Sequence, residues 1–486
     1  MKRIRIFLSL IFICYLSILP EIFAQDVQSN HAMVATAHPV ASEVGVEILR
    51  QGGNAVDAAM AIAFALSIAE PNASGIGGGG FMLLKMADSN RAVMIDYREM
   101  APMKATKKFY YENEKSFSDL ARDGIYSIGV PGLVACAEKV LPKYGTMTLA
   151  QILQPAIRLC NSGIEVTEKL SGMIMDNLEK IAQFPATSKI YLKDMMPFEA
   201  GDTLRNPDLA KTFGKIAAGG GSVFYQGEIA KKICQTMQTY HGLMDSTDLK
   251  SYRAIERKPV TGTYRGYRIV SSAPPSGGGT FLIELLNIME GYDVKKMGHN
   301  SAQYLHTLSE AMKLIFADKA LNSADPDFYR IPVDTFVNKE YARRLRRRIL
   351  PDKARFDYLP QQISVRESNS TSHFSVVDEQ GNAVALTQSI NHWFGSGIVV
   401  EGTGILLNDH LHDFSDDPDS PNAIEPHKRP TSSIAPTIVL KDGKPIMVLG
   451  TPGGTRIISA LAQIIMNVID FGMSMDDAIE APRIHC

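Results

Sequence analysis

A run of almost continuous apolar residues, Ala55–Ala69, constrains the fold of this chain more than any other segment. It follows the turn Gly52-Gly53-Asn54 and is apolar on nearly all sides, which is typical of a helix buried on every face. Because the run is too short to cross a membrane, we expect it at the centre of a layer in a folded domain. With 45% hydrophobic and 21% charged residues among 486, the chain is long enough to bury such a core.

Helical and β-like segments alternate after this run without a fixed repeat, which predicts one large α/β or α+β unit. Residues 301–322 have the spacing of an amphipathic helix, with Glu310, Lys313 and Lys319 on its expected exposed face. Further along, apolar runs flanking turn residues predict two hairpins. These pair residues 373–377 with 383–387 and residues 437–440 with 446–449.

The N-terminus carries a basic start, an apolar stretch over residues 6–19 and a small residue, Ala24, before Gln25. This order is typical of a secretory signal peptide, so residues 1–24 are expected to be removed from a periplasmic or secreted protein without stable membrane insertion. A net charge of -2 gives no general attraction to nucleic acid. The basic run at 343–348 is interpreted as an exposed helix face, and the scattered cysteines indicate neither a dense disulfide framework nor a zinc site.

Thr371 stands where a predicted strand begins, deep inside the chain. If the Ser370-Thr371 bond were cut, this residue would hold a hydroxyl nucleophile and a free α-amine, whose pKa of about 7.7 to 8.0 suits proton transfer near neutral pH. Taken alone, however, the segment is better interpreted as an ordinary strand start.

Three other clusters could carry chemistry. Gly453 and Gly454 lie in a turn between a predicted strand and a helix, which suits an oxyanion hole or simply a tight turn. The turn lacks the lysine of a phosphate-binding loop. The glycines of residues 75–81 are expected to serve close packing in the core. His410 and His412 would share one face of a strand beside Asp413, as metal ligands do, but the missing further ligands favour a polar pocket, so no metal or cofactor is expected.

Taken together, the ordered motifs of the chain resemble those of the γ-glutamyltransferase (γ-glutamyltranspeptidase) family over essentially all of its length after the signal. The motifs that carry this resemblance are GGNAVDAA (52–59), GIGGGGF (75–81), DYREMAP (96–102), PPSGG (274–278), TSHFSVVD (371–378), GNAVA (381–385), GILLN (404–408), KRPTSS (428–433) and PGG (452–454).

The resemblance implies an α+β fold, a four-layer αββα sandwich of the N-terminal nucleophile hydrolase type. It also implies a precursor that cleaves itself between Ser370 and Thr371, into a large region, 25–370, and a small region, 371–486, which stay associated. Thr371 would be the nucleophile, and Ser389 stands where the family has a threonine that supports it. Since the family normally continues past the position of Cys486, C-terminal elements are expected to be missing.

The implied reaction moves the γ-glutamyl group of glutathione-like compounds to water or to amino acid and peptide acceptors, through an ester on Thr371. Gly453 and Gly454 would form the oxyanion hole. His410 replaces the family's usual glutamine or glutamate near the donor α-amine. The link at 416–427 is shorter than in many family members, and this short link predicts an open site. The implied substrate contacts are Arg98, Ser432 and Ser433 with the α-carboxylate and Asn391, His410 and Asp413 with the α-amine. A glutaryl-type acylase and an unprocessed, inactive homologue remain as alternatives.

Overall fold

Two antiparallel β-sheets organise the computed structural model, which describes residues 27–357 and 370–486. The strands in chain order are β1 (Met33–Ala35), β2 (Gly79–Lys85), β3 (Ala92–Asp96), β4 (Ile164–Glu165), β5 (Leu192–Lys193), β6 (Met196–Pro197), β7 (Thr203–Leu204), β8 (Ile255–Arg257), β9 (Val260–Tyr264), β10 (Tyr267–Ser271), β11 (Ser372–Val377), β12 (Ala383–Ser389), β13 (Val399–Val400), β14 (Ile405–Leu406), β15 (Thr437–Lys441) and β16 (Lys444–Leu449). The larger sheet has the order β1-β11-β12-β2-β3-β8, and the smaller sheet has the order β16-β15-β10-β9. Both predicted hairpins are confirmed, as β11-β12 and β15-β16.

Helices flank the sheets on both outer sides. They are α1 (Pro39–Arg50), α2 (Ala55–Ala69), α3 (Lys107–Tyr111), α4 (Phe117–Ala121), α5 (Leu133–Tyr144), α6 (Leu149–Ser162), α7 (Glu168–Asp176), α8 (Leu178–Ala182), α9 (Pro185–Tyr191), α10 (Pro207–Tyr225), α11 (Glu228–Thr239), α12 (Ser246–Ser251), α13 (Gly278–Met289), α14 (Val294–Met297), α15 (Ala302–Asn322), α16 (Val333–Phe336), α17 (Lys339–Arg346), α18 (Arg456–Ile469) and α19 (Met475–Glu480). Short 3₁₀ turns form at Ile125–Ser127 and His410–Asp413.

The alternating side chains of β2 show how the layers stack. Met82 and Leu84 pack into one apolar core together with α2, α6 and α10. Phe81 and Leu83 point to the opposite face and pack into a second core with the smaller sheet, α13, α15 and α18. Since successive side chains of a strand point to opposite faces, the larger sheet separates a helical layer from the smaller sheet. The predicted α+β fold with αββα layers is therefore confirmed.

The apolar run at the start of the chain forms α2, and all of its residues are buried, as predicted. Asn54 begins the helix by accepting hydrogen bonds from the backbone N–H groups of Val56 and Asp57, which stabilises the first turn. Asp57 in turn accepts from the backbone N–H of Thr146, which ties the helix to the loop before α6. Within residues 27–357 and 370–486, no helix is long and apolar enough to span a bilayer.

The glycine cluster at 75–81 is fully buried and serves close packing, as predicted. A Cβ atom on Gly77 would lie 1.9 Å from the carbonyl oxygen of Leu406, and one on Gly78 would lie 2.2 Å from that of Ser389. Real Cβ atoms do not approach so closely, so only glycine lets these backbones cross. The cluster thereby holds the end of β12 against the start of β2.

The amphipathic helix predicted over residues 301–322 is confirmed as α15, but its exposed face was assigned incorrectly. Glu310 and Lys319 are buried, at 1% and 4% exposure. Glu310 lies 2.7 Å from the Nζ of Lys313 and accepts from the backbone N–H of Arg355, so residues that follow α17 cover this side of the helix. Helical spacing predicts which residues share a face, but not which later segment covers that face.

Residues 31–486 form a single unit, in which both sheets combine strands from before and after the predicted cleavage point. β11 pairs with β1, and β12 pairs with β2, so the segment after Thr371 enters the middle of the larger sheet. Of the separate unit formed by residues 1–30, the structure describes residues 27–30, which form no helix or strand. The predicted signal peptide, 1–24, lies outside the described residues.

Candidate active site

Thr371 lies immediately before β11 and is 7% exposed. Its hydroxyl contacts the carbonyl oxygen of Ser370, the group that would have to be attacked in self-cleavage. It borders two cavities, a small polar one and a larger one of about 890 Å³ whose lining includes Glu70, Trp393 and Pro452. A nucleophile at this position can be approached from two sides.

Ser389, at the end of β12, faces the Ser370-Thr371 bond across the sheet. Its hydroxyl donates a hydrogen bond of 3.0 Å to the carbonyl oxygen of Ser370 and accepts one of 2.8 Å from the backbone N–H of Asn391. The Ser370 hydroxyl contacts the carbonyl oxygen of Asn391. The carbonyl group of the predicted cleavage site is therefore held in a fixed orientation by the strand that pairs with β11.

Arg98 follows β3 and is almost completely buried, at 1% exposure. Its guanidinium donates to the carbonyl oxygens of Thr431 (3.0 Å) and Pro430 (3.3 Å), and it contacts the carboxylate of Asp413. These contacts bring the cation to the segment that continues into the two predicted carboxylate-binding serines, Ser432 and Ser433. A buried cation beside hydroxyl groups suits a carboxylate ligand.

His410 and Asp413 lie on a 3₁₀ turn and not on the strand that the metal-site alternative would have required. The turn forms because Asn408 accepts hydrogen bonds from the backbone N–H groups of His410 (3.1 Å) and Gly129 (3.0 Å), which bends the chain away from extended geometry. In residues 27–357 and 370–486, no group of three or more histidine, cysteine or acidic side chains could hold a metal ion.

Glu99 lies beside His410, with its Oε1 2.8 Å from the Nδ1 of the imidazole. Burial raises the pKa of Glu99 from its ordinary value to about 8, and the nearby Arg98 opposes this shift. Burial, followed by the positive charge of Arg98, lowers the pKa of His410 well below its ordinary value. His410 is therefore neutral near neutral pH, which is the form that can accept a hydrogen bond from an amine.

Gly453 and Gly454 lie in the turn between β16 and α18. Their φ angles of 130° and 57° are in the region that favours glycine. Gly454 lines the polar cavity with Thr371, whereas Gly453 is not part of this lining. The turn leads into the N-terminus of α18, where backbone N–H groups and the helix dipole favour negative charge.

One polar cavity thus brings together most of the predicted site residues. Its lining comprises Arg98, Thr371, Ser389, Asn391, His410, Asp413, Ser432, Ser433, Ile434, Gly454 and Ile457. A cation, an anion, several hydroxyls and a candidate nucleophile therefore surround one small space.

Two buried residues next to this cavity were missed in the sequence. Glu99 directly follows Arg98, and Arg429 lies in the KRPTSS segment. Arg429 donates to the Asp96 carboxylate (2.9 Å) and to the carbonyl oxygen of Arg98 (3.0 Å), so it fixes the backbone that carries Arg98. Their positions in the DYREMAP and KRPTSS motifs were the only indication in the sequence that these two residues lie near the site. Their burial could not be predicted, because it depends on contacts with residues distant in sequence.

Stacked αββα layers are the architecture of the N-terminal nucleophile hydrolases, the class in which a residue at the start of a strand is the nucleophile. The sequence profile described as Gamma-glutamyltranspeptidase matches residues 41–486, and the chain belongs to this family.

Individual relatives agree with this assignment. The chain is 42% identical to the glutathione hydrolase proenzyme of Escherichia coli over 473 residues, which cover 94% of this chain and 81% of that relative. Its structure is similar to that of a cephalosporin acylase from Bacillus halodurans, with a TM-score of 0.83, 30% identity and coverage of 96% of this chain and 86% of the acylase. A solved chain of Helicobacter pylori gamma-glutamyltranspeptidase is 39% identical, with a TM-score of 0.65, and covers 68% of this chain and 95% of its own length.

Proposed function

We propose that this chain is a γ-glutamyltransferase and glutathione hydrolase that cleaves itself between Ser370 and Thr371. It transfers the γ-glutamyl group of glutathione-like compounds to water or to amino acid and peptide acceptors, through an ester on Thr371. Family membership supports the reaction class. The observation that carries the proposal is the polar cavity beside Thr371, where the opposite charges of Arg98 and Asp413 suit the α-carboxylate and α-ammonium of a glutamyl group.

Self-cleavage starts from the contact between the Thr371 hydroxyl and the Ser370 carbonyl. The hydroxyl oxygen attacks the carbonyl carbon, while the Ser389 hydroxyl stabilises the negative charge that develops on the carbonyl oxygen. The C–N bond then breaks, the nitrogen takes a proton, and an ester links Ser370 to the Thr371 oxygen. Water opens this ester and leaves a carboxylate on Ser370 and a free hydroxyl and α-amine on Thr371.

In the transfer reaction, the free α-amine of Thr371 takes the proton of its own hydroxyl, which attacks the γ-carbonyl carbon of the donor. Backbone N–H groups of Gly453 and Gly454 stabilise the oxyanion, a contribution of about 3 to 4 kcal/mol for each donor. The leaving amine takes the proton, and the γ-glutamyl group remains on Thr371 as an ester. Water or an acceptor amine then attacks this ester and restores the hydroxyl.

Donor recognition uses the two opposite charges of the polar cavity. Arg98, with Ser432 and Ser433, holds the α-carboxylate, and Asp413, with Asn391 and His410, holds the α-ammonium. Without a donor, the Arg98 guanidinium contacts the Asp413 carboxylate directly. A zwitterionic glutamyl group supplies a new partner for each charge, so neither buried charge is left unpaired on binding.

The two products of cleavage, 25–370 and 371–486, remain associated, because β11 and β12 lie between β1 and β2 of the first region. The signal peptide, 1–24, directs the enzyme to the periplasm or the exterior and is then removed. Among partners, only small-molecule donors and acceptors are expected, with no nucleic acid.

An acylase that removes glutaryl-type side chains is the second candidate, supported by the structural similarity to a cephalosporin acylase. A glutaryl group lacks the α-amine and would leave the Asp413 carboxylate without a new partner. We therefore expect a γ-glutamyl anilide to react faster than the matching glutaryl anilide. Equal turnover of the two substrates would favour the acylase function.

Replacement of Thr371 by alanine tests the proposal, because it removes the hydroxyl that both cleavage and transfer require. The wild type should give two bands on denaturing electrophoresis, a new N-terminus at Thr371 and release of anilide from the γ-glutamyl donor. The Thr371→Ala variant should give one band and no release. Thr239→Ala, on the exposed side of α11, is the matched control and should behave as the wild type. An intact, active wild type would contradict the proposal.

A further inference from the structure

We propose that Glu99 is a positioning residue for donor recognition, which shares protons with His410 and so determines whether the imidazole accepts a hydrogen bond from the donor α-amine. This inference rests on the function proposed above and extends it to a residue outside the catalytic machinery. It makes recognition of the donor's amino group dependent on pH.

The geometry of the pair supports this role. Oε1 of Glu99 lies 2.8 Å from Nδ1 of His410, and the two side chains are 0% and 1% exposed. Within residues 27–357 and 370–486, neither carboxyl oxygen of Glu99 makes a well-aligned hydrogen bond. The same holds for the Nδ1 of His410. The nearest guanidinium nitrogen of Arg98 is 3.7 Å from Oε2 of Glu99. A turn of the imidazole ring is enough to satisfy Nδ1 and one carboxyl oxygen together.

The backbone around Glu99 leaves room for its carboxyl group. A Cβ atom on Gly79 would lie 2.9 Å from the carboxyl carbon of Glu99, and one on Gly129 would lie 2.8 Å from its Cβ. Asn408 donates to the carbonyl oxygen of Gly129 (2.8 Å) and holds the backbone N–H of His410. The same backbone segments therefore position both members of the pair.

The number of protons on the pair decides what Nε2 of His410 can do. When Glu99 is protonated, it donates to Nδ1, and the neutral imidazole then carries its proton on Nε2, which repels an ammonium group. When the pair loses one proton to water, the imidazole proton moves to Nδ1 and bonds the Glu99 carboxylate. Nε2 then presents a lone pair, which accepts a hydrogen bond from the α-ammonium of the donor.

Burial and the surrounding charges together set the pH at which this change occurs. Burial is the dominant cause of the rise in the pKa of Glu99 to about 8, and nearby positive charges oppose it only in part. Because the pair loses its proton as pH rises, amine recognition should strengthen from neutral to mildly alkaline pH. The titratable and charged groups that face the pair are Asp96, Tyr97, Arg98, Tyr252, Asp409, Asp413, Arg429 and the imidazole of His392.

The test compares kcat/KM for a γ-glutamyl anilide with kcat/KM for the glutaryl anilide, which lacks the α-amine, between about pH 6 and about pH 9. Titration of the Thr371 α-amine affects both substrates and cancels in their ratio. For the wild type, the ratio should rise about fivefold between about pH 7 and about pH 8. Glu99→Gln and His410→Gln should each remove this rise, because the first variant has no Glu99 carboxyl to titrate and the second has no imidazole to carry the change to the donor amine.

Glu165→Gln, at the exposed residue of β4, is the matched control and should keep the wild-type profile. Self-cleavage of each variant is measured first on denaturing gels. If Glu99→Gln or His410→Gln does not cleave itself, the pH profile of the remaining one of these two variants tests the inference. A flat ratio in the wild type, or an unchanged rise in either pair variant, would overturn the inference while leaving the proposed function intact. Failure of the wild type to cleave itself and to release anilide would instead contradict the proposed function.

Discussion

The Ser389 hydroxyl supports the bond proposed to be cut, because it donates to the carbonyl oxygen of Ser370 over 3.0 Å. Loss of one oxyanion donor typically slows a reaction by about 10²-fold. We therefore expect Ser389→Ala to slow self-cleavage by roughly this factor and Ser389→Thr to restore it, as followed on denaturing gels over time. Ser127→Ala removes an equally buried hydroxyl that donates to the Gly124 carbonyl elsewhere, and should leave the cleavage rate unchanged. Equal rates for Ser389→Ala and the wild type would exclude this role.

At the same scale, the motifs predicted which residue types meet in the cavity, but not all of their geometry. The convergence of Arg98, Asp413 and Ser432 was predicted from the family resemblance, and the structure brings them to one cavity. Spacing alone did not predict the turn at 410–413, because it contains no information about the hydrogen bonds of Asn408 that form this turn. The buried Glu99 was missed for a similar reason: its surroundings come from segments far apart in sequence. The catalytic roles of Thr371 and Ser389 stay predictions.

Among the elements, α13 buries Glu284 beneath the smaller sheet, beside the half-buried Asp318 of α15. Burial and the neighbouring Asp318 raise the pKa of Glu284 well above its ordinary value. The unfolded chain releases this proton above about pH 4.3, whereas the folded protein retains it, so Glu284 lowers stability as pH rises through this range. We expect Glu284→Gln to raise Tm by about 2–4 °C at about pH 8 and to have a smaller effect near pH 4. Thermal unfolding at both pH values, with exposed Glu114→Gln as control, measures this; a pH-independent change would contradict it.

The elements themselves were largely predictable, because strong local patterns specify them. The apolar run of α2, the two hairpins and the helix of α18 follow from hydrophobic period and turn residues. Which face of α15 is exposed was not predictable, because Glu310 on this helix is covered by the segment that contains Arg355. Local pattern therefore predicts an element, whereas tertiary contacts decide which of its faces is covered.

At the scale of the whole molecule, the two proposed cleavage products share both sheets. β1 and β2 come from the region before Thr371 and pair with β11 and β12 from the region after it. β10 likewise pairs with β15 in the smaller sheet. Neither region can complete a sheet alone, so folding of the cleaved protein and association of its two chains are one process.

This coupling predicts that the stability of the cleaved enzyme depends on its concentration. Unfolding of the mature protein releases two chains, whereas unfolding of the uncleaved Thr371→Ala variant releases one. By mass action, Tm of the mature protein should rise by roughly 2–3 °C over an approximately hundredfold range of concentration, and Tm of the variant should not change. Scanning calorimetry at several concentrations measures both, and size-exclusion chromatography should show one species of equal size for each. A mature Tm that is independent of concentration would mean that one region holds its fold without the other.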